Sequence, residues 1–148
     1  MSTNTRTVAA TPEQVWEVLC DGWLYPLWVV GATRMREVDD TWPAVGSRLH
    51  HSVGSWPVML DDTTEVLEVR ALTLLRLRAR GWPLGAAEVV LRMTPHGAGT
   101  QIEMQEQAVS GPGALLPKPL QDPVLTWRNA EALQRLGYVV EHRSQGNV

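Results

Sequence analysis

The chain has 148 residues, 44% hydrophobic and 20% charged, with a net charge of −3. Its size favours one domain over residues 1–148 with a sizeable core, and its mild acidity argues against nucleic acid as a partner, because phosphate binding needs concentrated positive charge. Cys20 is the only cysteine, which excludes an internal disulfide, fits a reducing compartment and reads as a small buried hydrophobe. No signal-peptide run opens the sequence, and "LYPLWVVGA" is too short to span a bilayer, so a soluble cytoplasmic protein without stable membrane insertion is expected.

Thr3 to Ala9 reads as a strand. "TPEQVWEVLCD" starts a helix: Thr11 can cap, Pro12 suits the first position and Gln14 completes a capping box, with Val15, Val18 and Leu19 as the buried stripe. Asp21 can cap a second, short helix or irregular turn limited by Pro26. From Gly31 to Val109 the period becomes two. Six strand-like runs follow, "ATRMREVDD", "SRLHHSVG", "VMLDDTTEVLEV", "LTLLRLRARGW", "AAEVVLRMT" and "TQIEMQEQAV". Short turns, among them Arg70-Ala71, separate them and predict an antiparallel meander. Ser110 to Leu120 is read as a Pro/Gly-rich loop. Asp122 then caps one long final helix with Pro123 at its first position and a stripe of Leu125, Asn129, Ala132, Leu133, Leu136 and Val140. Gly137 weakens that helix by about 1 kcal/mol relative to alanine. "HRSQGNV" is a polar tail.

The expected fold is α+β: a curved seven-stranded antiparallel sheet around a long C-terminal helix, with two short helices after strand 1. The order of elements, with "TPEQVWEVLCDGWLYPLW", "WPAVGSRLHHSVG", "GTQIEMQEQAVSGPG" and "DPVLTWRNAEALQRL", resembles the START-like or SRPBCC superfamily, and within it the polyketide cyclase/dehydrase-like group. The resemblance implies a helix-grip fold with a hydrophobic cavity between sheet and last helix. That superfamily includes carriers, receptors and cyclases, so fold alone does not assign a function.

Strand parity sorts the side chains. Leu49, His51 and Val53 share the inner face, and His50 points outward, so the adjacent histidines cannot hold one metal without a bulge. No metal and no cofactor is expected. Leu75, Leu77 and Ala79, then Ala87, Val89, Leu91 and Met93, then Ile102, Met104, Glu106 and Ala108 face inward. Arg76, Arg78 and Arg80 form an outer stripe with cross-strand partners. The strand from Val58 to Val69 carries apolar and acidic residues on both faces, so its parity stays open. Two polar residues thus point into the core, His51 and Glu106. Each is either a ligand-directed group or a structural hydrogen-bonding one.

There is no Phe but seven Trp, three of them before proline. Meander parity puts the loops of Trp56 and Trp82 at one end with the Ser110–Leu120 loop, and Trp42 at the other. Trp56 and Trp82 form either an aromatic rim or a satellite cluster. Tyr25 and Trp28, with Trp127 as a further candidate, join Leu77, Val89, Met104 and Leu133 as expected ligand-lining residues. The leading expectation is a carrier or sensor of a hydrophobic small molecule: a polyketide, an aromatic metabolite or a lipid. The first alternative is a cyclase or dehydratase using His51 and Glu106. The second is an interaction module or homodimer docking through the tryptophan rim.

Overall fold

The structure is a computed structural model and describes residues 2–30, 32–55, 58–81, 85–115 and 117–144. The seven strands are β1 (Ser2–Val8), β2 (Ala32–Val38), β3 (Arg48–Ser55), β4 (Val58–Arg70), β5 (Leu74–Gly81), β6 (Gly85–His96) and β7 (Gly99–Ser110). They form one antiparallel sheet in the order β1-β7-β6-β5-β4-β3-β2. The meander from β2 to β7 follows from its short connections. The long-range step is the pairing of β1 with β7, in register from Ser2 opposite Glu106 to Val8 opposite Thr100.

Helix α1 (Pro12–Cys20) begins as expected. Gln14 N–H donates to Thr11 Oγ1 at 3.2 Å, and Thr11 N–H donates to Gln14 Oε1 at 2.8 Å. Val15, Val18 and Leu19 are its buried residues. Asp21 accepts from Trp23 N–H and caps a single 3-10 turn, Gly22–Leu24, which leads into α2 (Tyr25–Trp28). The β4–β5 turn is longer than the expected Arg70-Ala71 step. Ala71–Thr73 forms the loop, Leu72 adopts a φ of 67°, and Thr73 N–H donates to Arg70 O at 3.0 Å.

Two boundaries near the C-terminus differ from expectation. Pro112–Leu115 forms a 3-10 turn inside the segment read as a loop, and α3 spans Lys118–Ser144, starting before Asp122 and running into the expected polar tail. Pro119 falls in the first turn, where backbone N–H groups have no intrahelical partner, so it does not stop the helix. Pro123 removes a single ladder bond. Five prolines and glycines within eleven residues therefore delimit less than their number implies.

Helix α3 lies along β1. Ser2 Oγ and Thr126 Oγ1 are 3.0 Å apart, and Asn4 Nδ2 donates to Thr126 O at 3.2 Å. A Cβ on Gly137 would lie 2.9 Å from Arg6 Nε and 3.2 Å from Val8 Cγ1. The glycine thus lets the helix rest directly on β1, which offsets its poor propensity. Ala132, Leu133, Leu136, Val139 and Val140 complete one core with Val8, Leu49, Leu75, Leu91 and Ile102. Among the described residues no helix is long and apolar enough to cross a membrane.

Candidate functional site

Register divides the inner face of the sheet into rows. Met104, Leu91 and Leu75 form one row, and all three are buried. Glu106, Val89, Leu77 and Val66 form the next. Beyond it run Ala108, Ala87, Ala79, Thr64 and Leu49. The first row is closed by packing. Val89, Ala79, Ala87 and Ala108 are only half-buried, although parity turns all four towards the helix side. Three consecutive alanines across three strands leave room that larger residues would fill. The inner face is therefore solid along the first row and most open at Ala79, Ala87 and Ala108, while Thr64 and Leu49 in the same row are fully buried.

Buried polar groups border that open end. Tyr25 Oη lies 3.1 Å from Thr64 Oγ1, and His51 Nε2 lies 2.9 Å from the same oxygen. The Tyr25 ring stacks on His51 with centroids 5.6 Å apart and meets Trp28 edge-on at 5.3 Å. Thr64 is fully buried, which resolves the parity of β4: Thr64 and Val66 face inward, and so does Asp62, the register partner of His51. From α3, Asn129 is buried beside Arg128, whose Nη2 donates a long 3.5 Å bond to Val30 O.

Burial decides the charge states. Burial pushes the Tyr25 hydroxyl up to about 12; the Thr64 hydrogen bond opposes this, Glu106 adds to it and Arg128 acts against it. Tyr25 therefore keeps its proton at neutral pH. His51 is lowered by burial, against the pull of Asp62, with Arg36 and His50 adding to the lowering, so its ring is neutral at pH 7. Glu106 is raised by burial, with Arg128 opposing. Two buried side-chain nitrogens have no partner among the described residues, His51 Nδ1 and Asn129 Nδ2.

Of the residues singled out from sequence, Tyr25, Trp28, His51, Leu77, Met104, Glu106 and Leu133 are buried and Val89 is half-buried. Leu77, Met104 and Leu133 belong to the packed core, while Val89 lies at its border with the open rows. Trp56 and Trp82 lie outside the described residues. Trp127 is not a lining residue: it is 65% exposed, because it sits on the face of α3 opposite the Leu133–Leu136 stripe. His51 and Glu106 stand on β3 and β7, four strand steps apart, roughly 19 Å along the sheet. No hydrogen bond joins them; Tyr25, stacked on one and sensing the charge of the other, lies between. Sequence reasoning missed Thr64, Arg128 and Asn129 as polar participants. Only Asn129 carried a signal, as the one polar residue in the helical stripe.

His50 turns away from the core, half-buried, with Nε2 2.9 Å from Asp39 Oδ1. Among the described residues no group of three or more His, Cys, Asp or Glu side chains could hold a metal ion. A depression of about 210 Å³ lies on the other face of the sheet, floored by Leu74 and Val90 and walled by Glu68, Arg76, Glu88, Arg92, Gln105 and Gln107. Glu106 also borders it, but its side chain shares inner parity with Met104. The central charge there is already neutralised, with Arg76 Nη2 2.6 Å and Nε 3.1 Å from Glu88 Oε1. An ion-paired sheet surface offers an apolar molecule little, so the inner face is the better candidate.

The family model described as "Polyketide cyclase / dehydrase and lipid transport" matches residues 2–141. No curated protein matches the chain. Among solved structures, protein NE0264 from Nitrosomonas europaea is 16% identical over 97% of this chain and 95% of its own, with a TM-score of 0.73. Ara h 8.0201 is 12% identical over 93% and 95%, with a TM-score of 0.70. StfQ, a di-domain ARO/CYC from the steffimycin biosynthetic pathway, is 13% identical over 97% of this chain and 51% of its own, with a TM-score of 0.70. At these identities the structural likeness speaks for the fold. With the helix-grip architecture and the match along nearly its whole length, the chain belongs to the polyketide cyclase/dehydrase and lipid transport family.

Proposed function

We propose that the chain binds an apolar small molecule between the sheet and α3, as a carrier or sensor of a polyketide, an aromatic metabolite or a lipid. One observation carries this reading: Ala79, Ala87, Val89 and Ala108 keep exposure on the face that is otherwise the core side of the sheet. A ligand hiding ~300 Å² of apolar surface there would gain about 7 kcal/mol before ordering terms, a large favourable term that needs no special chemistry. Tyr25, Trp28, His51 and Glu106 would form the polar and aromatic border, with Leu77, Met104 and Leu133 behind it. Native mass spectrometry of the protein isolated from its own host tests the proposal, backed by titration with 2-acetylnaphthalene. A co-purifying apolar molecule or saturable binding supports it. An empty protein that also fails to bind the probe overturns it.

A cyclase or dehydratase is the second reading. The observation on its side is Tyr25, whose ring stacks on His51 and whose hydroxyl feels the charge of Glu106. Enolisation needs a base and a donor about 3 Å from a bound carbonyl, so a substrate would have to bring its reacting carbon to one of the two residues. The ARO/CYC description of StfQ belongs to that protein and lends this reading its reaction class. Turnover of a linear poly-β-ketone mimic that disappears in both His51→Gln and Glu106→Gln would establish it. Binding with no turnover would leave the carrier.

A further inference from the structure

Thr64 Oγ1 is shared. Tyr25 Oη is 3.1 Å from it on one side and His51 Nε2 2.9 Å on the other. A threonine hydroxyl carries one proton and a neutral imidazole one N–H, so the three groups have only a few consistent arrangements. If Tyr25 donates to Thr64 and Thr64 donates to Nε2, both hydroxyl protons are used and His51 carries its proton on Nδ1. One donor, that Nδ1–H, is then unmet. If Nε2–H instead donates to Thr64 and Thr64 to Tyr25, the phenol proton is unmet and so is the Nδ1 lone pair. If both neighbours donate to Thr64, the threonine proton and the Nδ1 lone pair are unmet. Each buried unmet donor is unfavourable, and the first arrangement leaves the fewest unmet groups.

We infer that Tyr25, Thr64 and His51 form a one-way hydrogen-bond relay that fixes His51 as its Nδ1–H tautomer and holds that N–H for a neutral carbonyl oxygen of the bound ligand. The second half rests on the ligand-binding reading above; the first does not. Asp62, the register partner of His51 on the same face, acts on the ring in the sense that favours a proton, with Arg36 and His50 opposing. The Asp62 carboxylate already accepts the Thr63 N–H at 2.9 Å. Nδ1 is shielded from water, so a bond formed there does not compete with solvent. Asn129 Nδ2 on α3 is a second buried donor without a partner among the described residues, and it asks for the same kind of group. A waiting His51 donor selects a molecule with an acceptor oxygen over a plain hydrocarbon. Thr64 and Tyr25 are positioning residues in this scheme.

The test is the ring ¹⁵N–¹H correlation spectrum of His51 in the full chain at neutral pH. A pyrrole-like Nδ1 with a pyridine-like Nε2 is expected, and the reverse pattern overturns the relay. Tyr25→Phe keeps the Thr64 donor, so the tautomer should be unchanged. Thr64→Val removes the donor to Nε2 and should shift the ring towards Nε2–H. An unchanged tautomer in folded Thr64→Val overturns the role of Thr64. If that variant does not fold, the parent and Tyr25→Phe spectra decide alone. For the ligand half, 2-acetylnaphthalene and 2-ethylnaphthalene differ chiefly in one carbonyl. The ketone should bind roughly 3- to 10-fold more tightly and move the Nδ1–H resonance. Equal affinities with an unmoved resonance overturn the donor role while leaving apolar binding intact. Failure of both probes overturns the donor role together with the binding reading, and leaves the tautomer measurement standing.

Discussion

Ala87→Leu asks whether the open end of the inner face is real. Ala87 lies between Ala79 and Ala108 in register and is half-buried. Leucine adds three carbons, and at ~0.8 kcal/mol for each buried one the ceiling is about 2.4 kcal/mol. With partial closure the expected gain is about 1–2 kcal/mol. If side chains already filled that volume, the same change would overpack it and lose about 1–3 kcal/mol. The two cases differ in sign, which makes the measurement decisive. Urea midpoints give the free energy, and each kcal/mol should move Tm by about 2–4 °C at this chain length. In the same variant 2-acetylnaphthalene should bind at least about tenfold more weakly, or ~1.4 kcal/mol. Leu91→Phe is the control, because Leu91 is fully buried in the packed row; it should lose about 1–3 kcal/mol. A destabilised Ala87→Leu with unchanged probe binding would refute the open-end argument.

Other outcomes follow from single contacts. Gly22→Ala places a Cβ 2.5 Å from Leu49 Cδ2 and 2.9 Å from Val38 Cγ1, so overpacking should lower stability by about 1–3 kcal/mol in urea unfolding. Thr11→Ala removes one half of the α1 capping box and should lose about 1 kcal/mol, with Thr11→Ser recovering most of it. Glu106 has its carboxyl raised above the ordinary 4.5 by burial, so the folded state holds that proton more tightly than the unfolded state. Its contribution is full below about pH 4.5 and is lost as pH rises through the raised value. Glu106→Gln should therefore be more stable than the parent at neutral pH, with the difference fading in acid. A pH series of urea midpoints reads this, and a pH-independent difference would contradict the burial of the charge.

Period-two alternation was enough to place His51 and Glu106 on the inner face, because β3 and β7 each pair one polar intruder with apolar neighbours of the same parity. The capping box and the stripe of α1 were equally legible, since both are local. Thr64 was not. Its strand carries Leu60, Asp62, Val66 and Glu68 on one parity, and only the register against Leu49 and Ala79 shows which face is inward. The pairing of β1 with β7 joins residues about a hundred positions apart, and no local signal encodes it. Gly137 read as a weakness of α3 until its neighbour was known. The early start of α3 was hidden because proline signals a stop only away from a helix's first turn. Asn129 was visible as a member of the stripe, but its unmet amide depends on what surrounds it.

The polar attachment of α3 is concentrated on β1. Along β1 it is held at Thr126 by Ser2 and Asn4, at Gly137 by close seating on the Arg6 and Val8 side chains, and near its end by Ala9 N–H donating to Glu141 Oε2 at 3.4 Å. Towards α2 it is tied by the long Arg128–Val30 bond. The helix is bound to the sheet like a page to its spine. A guest entering from the α2 margin would strain the apolar seating of α3 while leaving the strand-to-strand bonds in place, so admission draws on side-chain packing rather than on the ladder of the sheet.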